Sequence, residues 1–213
     1  MLYTKKLTVC ISLSSFLLVA IPLAKAIKEW ETRNSKVAAE EREIMLYGGL
    51  VFDTKRSFIN KLDATLASLK NCERLALSTN QIDRMAPFTG MEKLRLLSLS
   101  RNAIKKIERL EDVAETLEEL WMSYNLVSSL DGLGSCSKLQ VLYLGNNKIT
   151  DWNELDKLAG LPSLREVLFT GNPIYDGMEK AAAKLQVIKR IPNIQKIDND
   201  MVSPGERDAA KAL

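Results

Sequence analysis

The chain has 213 residues, 46% of them apolar and 27% charged, enough for one continuous core and too ordinary a mixture for a disordered segment. The 30 basic and 27 acidic side chains leave a net charge of +3, which excludes association with nucleic acid or anionic lipid driven by overall charge. Histidine is absent, so the commonest general base and metal ligand is missing, and hydrolase or zinc chemistry has little to build on.

Lys5 and Lys6 precede an apolar run from Leu7 to Leu23, and Ala24-Lys25-Ala26 follows in the form of a signal-peptidase site, so residues 1–26 read as a signal-like or extraneous extension. The run is also about as long as the shortest membrane-spanning helix. No Asn stands two residues before Ser or Thr, and Cys10, Cys72 and Cys136 are too few and too widely spaced for a disulfide framework. Signal, anchor and a start upstream of the working chain remain as three readings. Cys72 and Cys136 are expected to be reduced and buried.

Residues 27–58 form an expected N-terminal cap. Ile27, Trp30, Val37 and Ile44 recur at helical spacing among charged residues and predict an amphipathic helix over Ile27 to Leu46.

Residues 59–177 are a repeat. Asn80, Asn102, Asn125, Asn147 and Asn172 recur at intervals of 22, 23, 22 and 25. Each stands in one frame, of which Leu94-x-x-Leu97-x-Leu99-x-x-Asn102-x-Ile104-x-x-Ile107 is an example. Such a frame predicts a leucine-rich-repeat solenoid of α/β class. Leu-x-Leu makes a short strand of a parallel sheet on one face, Asn turns the corner by hydrogen-bonding main chain, and short helices occupy the other face. Residues 178–213 close the far end. Met178, Ala182, Leu185 and Ile188 predict a helix over Met178 to Ile191, Ile191 to Asp198 reads as half a repeat, and Ser203-Pro204-Gly205-Glu206 is a helix start.

Side chains alternate along a strand, so those between and beside the inward leucines face the concave side. Leu96, Trp121, Val141, Tyr143 and Leu168 then predict a contiguous apolar and aromatic patch, with Arg74 and Glu119 beside it. A patch of this composition is the signature of a protein interface. A second candidate surface is the C-terminal helix, where Lys180, Lys184, Lys189 and Arg190 outnumber Glu179; Lys105, Lys106 and Arg109 make a further basic cluster. No phosphate-binding glycine frame and no converging carboxylates are found, so neither an enzyme, a cofactor, a small-molecule substrate nor a nucleic-acid partner is expected.

The stretches Asp63-Ala64-Thr65-Leu66, Leu75-Ala76-Leu77-Ser78-Thr79-Asn80, Leu117-Glu118-Glu119-Leu120-Trp121 and Asn146-Asn147-Lys148-Ile149-Thr150 are more particular than the repeat demands. They resemble the leucine-rich-repeat light chains of axonemal outer-arm dynein over about residues 24 to 210. The resemblance implies a non-catalytic regulator in the cytoskeleton of cilia and flagella, attached to a dynein heavy chain near its microtubule-binding stalk tip, with tubulin as a further contact. It implies that the apolar sheet face is the heavy-chain surface and that basic residues near the C-terminal helix act on motor or microtubule. Residues 1 to about 23 and the longer Gly48–Phe58 segment depart from that family. The alternatives are a regulatory subunit of an intracellular enzyme such as a protein phosphatase, or a secreted or membrane-anchored recognition protein.

Overall fold

In the computed structural model, residues 17–48, 50–52 and 55–213 are described. The signal-like run up to Phe16, with Lys5, Lys6 and Cys10, lies outside the described residues.

The elements are β1 (Leu17–Ile21), α1 (Leu23–Asn34), β2 (Glu43–Met45), β3 (Leu50–Phe52), β4 (Lys55–Ile59), β5 (Arg74–Ala76), β6 (Leu96–Ser98), β7 (Glu119–Trp121), β8 (Val141–Tyr143), α2 (Asn153–Asp156), β9 (Glu166–Leu168), α3 (Lys180–Arg190), β10 (Lys196–Ile197), β11 (Asp200–Met201) and α4 (Pro204–Lys211). Eight strands form one sheet in the order β11-β10-β9-β8-β7-β6-β5-β2, parallel except for the closing β10–β11 pair. Single 3-10 turns at Glu111–Val113 and Asp131–Leu133, and the short α2, return the chain along the opposite face. This is a leucine-rich-repeat solenoid.

The inward pairs Leu75/Leu77, Leu97/Leu99, Leu120/Met122, Leu142/Leu144 and Val167/Phe169 are all fully buried and stack coil on coil into one core. The corner of each coil is held by its Asn. Asn125 shows the pattern: its Nδ2 donates to the carbonyls of Leu99 at 3.0 Å and Met122 at 3.0 Å, and its Oδ1 accepts from the Ile104 N–H at 3.0 Å. One side chain thus satisfies its own coil and the coil before it. Asn80, Asn102, Asn147 and Asn172 repeat the arrangement.

The N-terminal end differs from the expected helix over Ile27 to Leu46. Helix α1 starts earlier, after Pro22, and buries Leu23, Ala26, Ile27 and Trp30 on one face. It stops at Ser35, whose left-handed backbone (φ 53°) ends the helix. Val37 is exposed, and Ile44 and Leu46 alternate on a strand instead, as β2 pairs in parallel with β5. Ile44 and Leu46 therefore act as the inward pair of an additional first coil. In this coil 12 residues separate Leu46 from Ile59, where four separate Leu99 from Ile104. The inserted stretch carries β3 and β4, and β4 pairs in parallel with β1. Ile59 returns to the frame, because its N–H donates to Asn80 Oδ1 at 2.8 Å as that of Ile104 does to Asn125.

Ala24-Lys25-Ala26 lies in the first turn of α1, with Leu23 and Ala26 in the core. Among the described residues no helix is long and apolar enough to cross a membrane.

At the other end, α3 is rotated from the expected face. It buries Ala183, Val187 and Ile188, with Leu185 packed partly against the core and Ala182 exposed. Helix α4 starts with the capping box expected of Ser203 and Glu206.

Cys72 and Cys136 are free and buried, and burial pushes their thiols up to about 12 and about 11 respectively. Thiolate is the reactive form, so both should resist iodoacetamide at pH 8 in the native chain and react once it is unfolded, as peptide mass spectrometry would show. Asn125→Ala leaves the Ile104 N–H buried without an acceptor, whereas the Leu99 and Met122 carbonyls keep Asn102 and Asn147. A loss of about 1–3 kcal/mol in urea unfolding is expected. Asn125→Asp, which has the shape but no N–H donor, should lose at least as much at neutral pH.

Candidate protein-interaction face

The parallel register places the outward side chains of the strands in rows across the concave face. One row runs Glu43, Arg74, Leu96, Glu119, Val141, Glu166, Lys196, and the next runs Met45, Ala76, Ser98, Trp121, Tyr143, Leu168. Trp121, Tyr143 and Leu168 are thus direct neighbours on β7, β8 and β9, each half-buried. The Trp121 and Tyr143 rings stack at 5.8 Å between centroids and 23° between planes.

The polar ends of these rings are tied down. Trp121 Nε1 donates to Glu119 Oε2 at 3.1 Å, and the Tyr143 hydroxyl donates to Glu166 Oε1 at 2.6 Å. Burial, reinforced by the Glu166 carboxylate, pushes the Tyr143 phenol up to about 12. Burial acts to raise Glu166, but the hydrogen bonds from Tyr143 and Lys196 outweigh it and hold its carboxyl below the usual range. The two rings are therefore fixed against each other and at their polar ends, which leaves them little rotational freedom to lose.

The expected contiguous patch is only partly formed. Leu96 is 4% exposed and offers little surface, because the longer Arg74 and Glu119 flank it in register. Val141 is half-buried between Glu119 and Glu166. Arg74 is exposed and pairs with Glu43 at 3.4 Å. The apolar surface is the row Trp121–Tyr143–Leu168 with Val141 beside it, and Leu96 is withdrawn from it.

Sequence reading missed the residues that extend this face toward the N-terminus. Met45, 40% exposed, and Tyr47, 43% exposed, stand on the additional first coil. Between them and Trp121 lies a trough of about 390 Å³, floored by the small side chains of Ala76, Ser78, Ser98 and Ser100. The signal was the alternation Ile44-Met45-Leu46, which lacks a ladder Asn to mark it.

The basic helix presents less free charge than its composition implies. Lys180 pairs with Asp200 at 2.5 Å, and Lys184 with Glu206 at 2.7 Å and the Met201 carbonyl at 2.7 Å. The Lys184 hydrogen bond holds the Glu206 carboxyl down at about 2. Arg190 pairs with Asp156 at 3.5 Å and lies 5.1 Å over the Trp152 ring, which itself stacks on Tyr175. Among the described residues, exposed Lys189 makes no ion pair, and neither do Lys105, Lys106 and Arg109. No metal-holding group of His, Cys, Asp or Glu is present among the described residues.

Comparison with known proteins agrees with this architecture. The family model described as Leucine Rich repeats (2 copies) matches residues 115–157. Among solved structures, an internalin of Listeria monocytogenes superposes with a TM-score of 0.53 at 21% identity, covering 67% of this chain and 39% of that one. The Drosophila melanogaster SNF/U2A' complex gives a TM-score of 0.52 at 18% identity, with 91% of each chain covered. These two likenesses establish the fold alone. Dynein axonemal light chain 1 of Chlamydomonas reinhardtii is 47% identical over 195 residues, spanning 90% of this chain and 96% of that protein. Its Homo sapiens counterpart is 41% identical over 193 residues, spanning 89% and 97%. Identity at this level along nearly the whole of both chains places the chain in the dynein axonemal light chain 1 family.

Proposed function

We propose that this chain is a non-catalytic regulatory light chain that docks an outer-arm dynein heavy chain on its concave face, near the heavy chain's microtubule-binding region. Its place of work is the axoneme of cilia and flagella, and its role is to modulate motility. Family membership supports the class of partner. The observation that carries the docking face is the half-buried row Trp121–Tyr143–Leu168 on a sheet, with both ring heteroatoms already hydrogen-bonded. Tryptophan and tyrosine held in this way are the usual anchors of interfaces, because they bury a large area with few rotatable bonds.

A tubulin contact falls to the cations that make no ion pair among the described residues, Lys189 and the Lys105, Lys106 and Arg109 cluster, more than to Lys180, Lys184 and Arg190, whose charges are answered by Asp200, Glu206 and Asp156. No nucleic acid or small-molecule substrate belongs to this reading.

Trp121→Ala combined with Tyr143→Ala should abolish recovery of outer-arm heavy chain from axonemal extract while the circular dichroism spectrum stays that of the parent. Each truncation of an anchor of this type weakens binding by about 2 kcal/mol or more. Undiminished recovery would overturn the reading.

A further inference from the structure

In the row that runs from Glu43 to Lys196, every charge but that of Glu119 is paired across neighbouring strands among the described residues. Glu43 faces Arg74, and Glu166 faces Lys196 at 2.9 Å. Glu119, in the middle of the same row, stands between Leu96 and Val141 and makes no ion pair with any described residue. Its one side-chain hydrogen bond comes from the Trp121 indole N–H, a neutral donor.

Glu119 is only half-buried, so in the free chain its remaining lone pairs are open to solvent. A partner that covers the indole nitrogen of Trp121 covers the Glu119 carboxylate with it, because the two lie 3.1 Å apart in a hydrogen bond. Water is then stripped from a full negative charge whose neighbours in register are two aliphatic side chains. Such a charge is costly to desolvate unless the partner supplies a counter-charge at the same place. Glu166 makes no such demand, as it already has Lys196 and the Tyr143 hydroxyl.

Resting on the docking reading above, we infer that Glu119 is the specificity-determining charge of the interface, and that the partner sets a basic side chain among the apolar ones it lays on Trp121 and Tyr143. Arginine fits the place better than lysine. Its planar fork answers a carboxylate with two donors, and its face stacks on an indole ring. A partner whose segment is apolar but lacks the cation is rejected, since it would bury Glu119 unpaired.

Glu119→Gln separates this role from mere support of Trp121, because the amide oxygen still accepts the indole N–H while the charge is gone. The probe is purified outer-arm dynein heavy chain, titrated against the full chain at low and at high salt, with Trp121→Ala as the control. Affinity for Glu119→Gln should fall about tenfold or more at low salt, with a weaker dependence on salt than the parent; Glu119→Lys should fall further. Glu119→Gln binding as tightly as the parent, with the same salt dependence, overturns the inference; if Trp121→Ala nonetheless weakens binding, the docking reading stands without it. Undiminished binding by both Glu119→Gln and Trp121→Ala overturns the docking reading and the inference together.

Discussion

Each ladder asparagine closes three backbone hydrogen bonds that the coil geometry leaves open, and the rest of the molecule depends on it. A chain that turns from strand to convex face every 22 to 25 residues buries main-chain N–H and C=O groups at every corner. The amide is the one side-chain group that both donates twice and accepts, so Asn can serve the carbonyl of its own coil, the carbonyl of the previous coil and an N–H of that coil at once. Stacking of the coils follows, and with it the registered rows of side chains.

Register is what turns a fold into a surface. The inward residues are buried in the core, so it is the outward residues of the same strands that make the concave surface. Trp121, Tyr143 and Leu168 lie side by side only because β7, β8 and β9 align them. The carboxylates Glu119 and Glu166 then fall within reach of the two ring heteroatoms. Rigidity of the rings comes from that pairing, and the unmatched charge of Glu119 comes from the same alignment.

What the sequence made legible was whatever repeats. The frame of Leu and Asn disclosed the solenoid, its sheet and its aromatic row, because period and alternation are properties of the chain alone. The additional first coil was hidden, since the stretch carrying β3 and β4 stands where its Asn would be, and Ile44-Met45-Leu46 could be placed equally well on a helix. Withdrawal of Leu96 depends on its lateral neighbours Arg74 and Glu119, which come from other coils. Likewise the basic face of α3 is answered by Asp200 and Glu206, 20 and more residues along the chain, and no local pattern announces such pairs.

The claim that a partner covers the concave sheet is tested most directly by hydroxyl-radical footprinting of the chain, alone and bound to outer-arm dynein heavy chain. Oxidation of Trp121 and Tyr143 should fall sharply in the complex, while Tyr124, 47% exposed at the Asn-turn edge of the solenoid, should be oxidised as before. Unchanged oxidation of Trp121 and Tyr143 in a complex that protects the edge or the convex side would contradict the account.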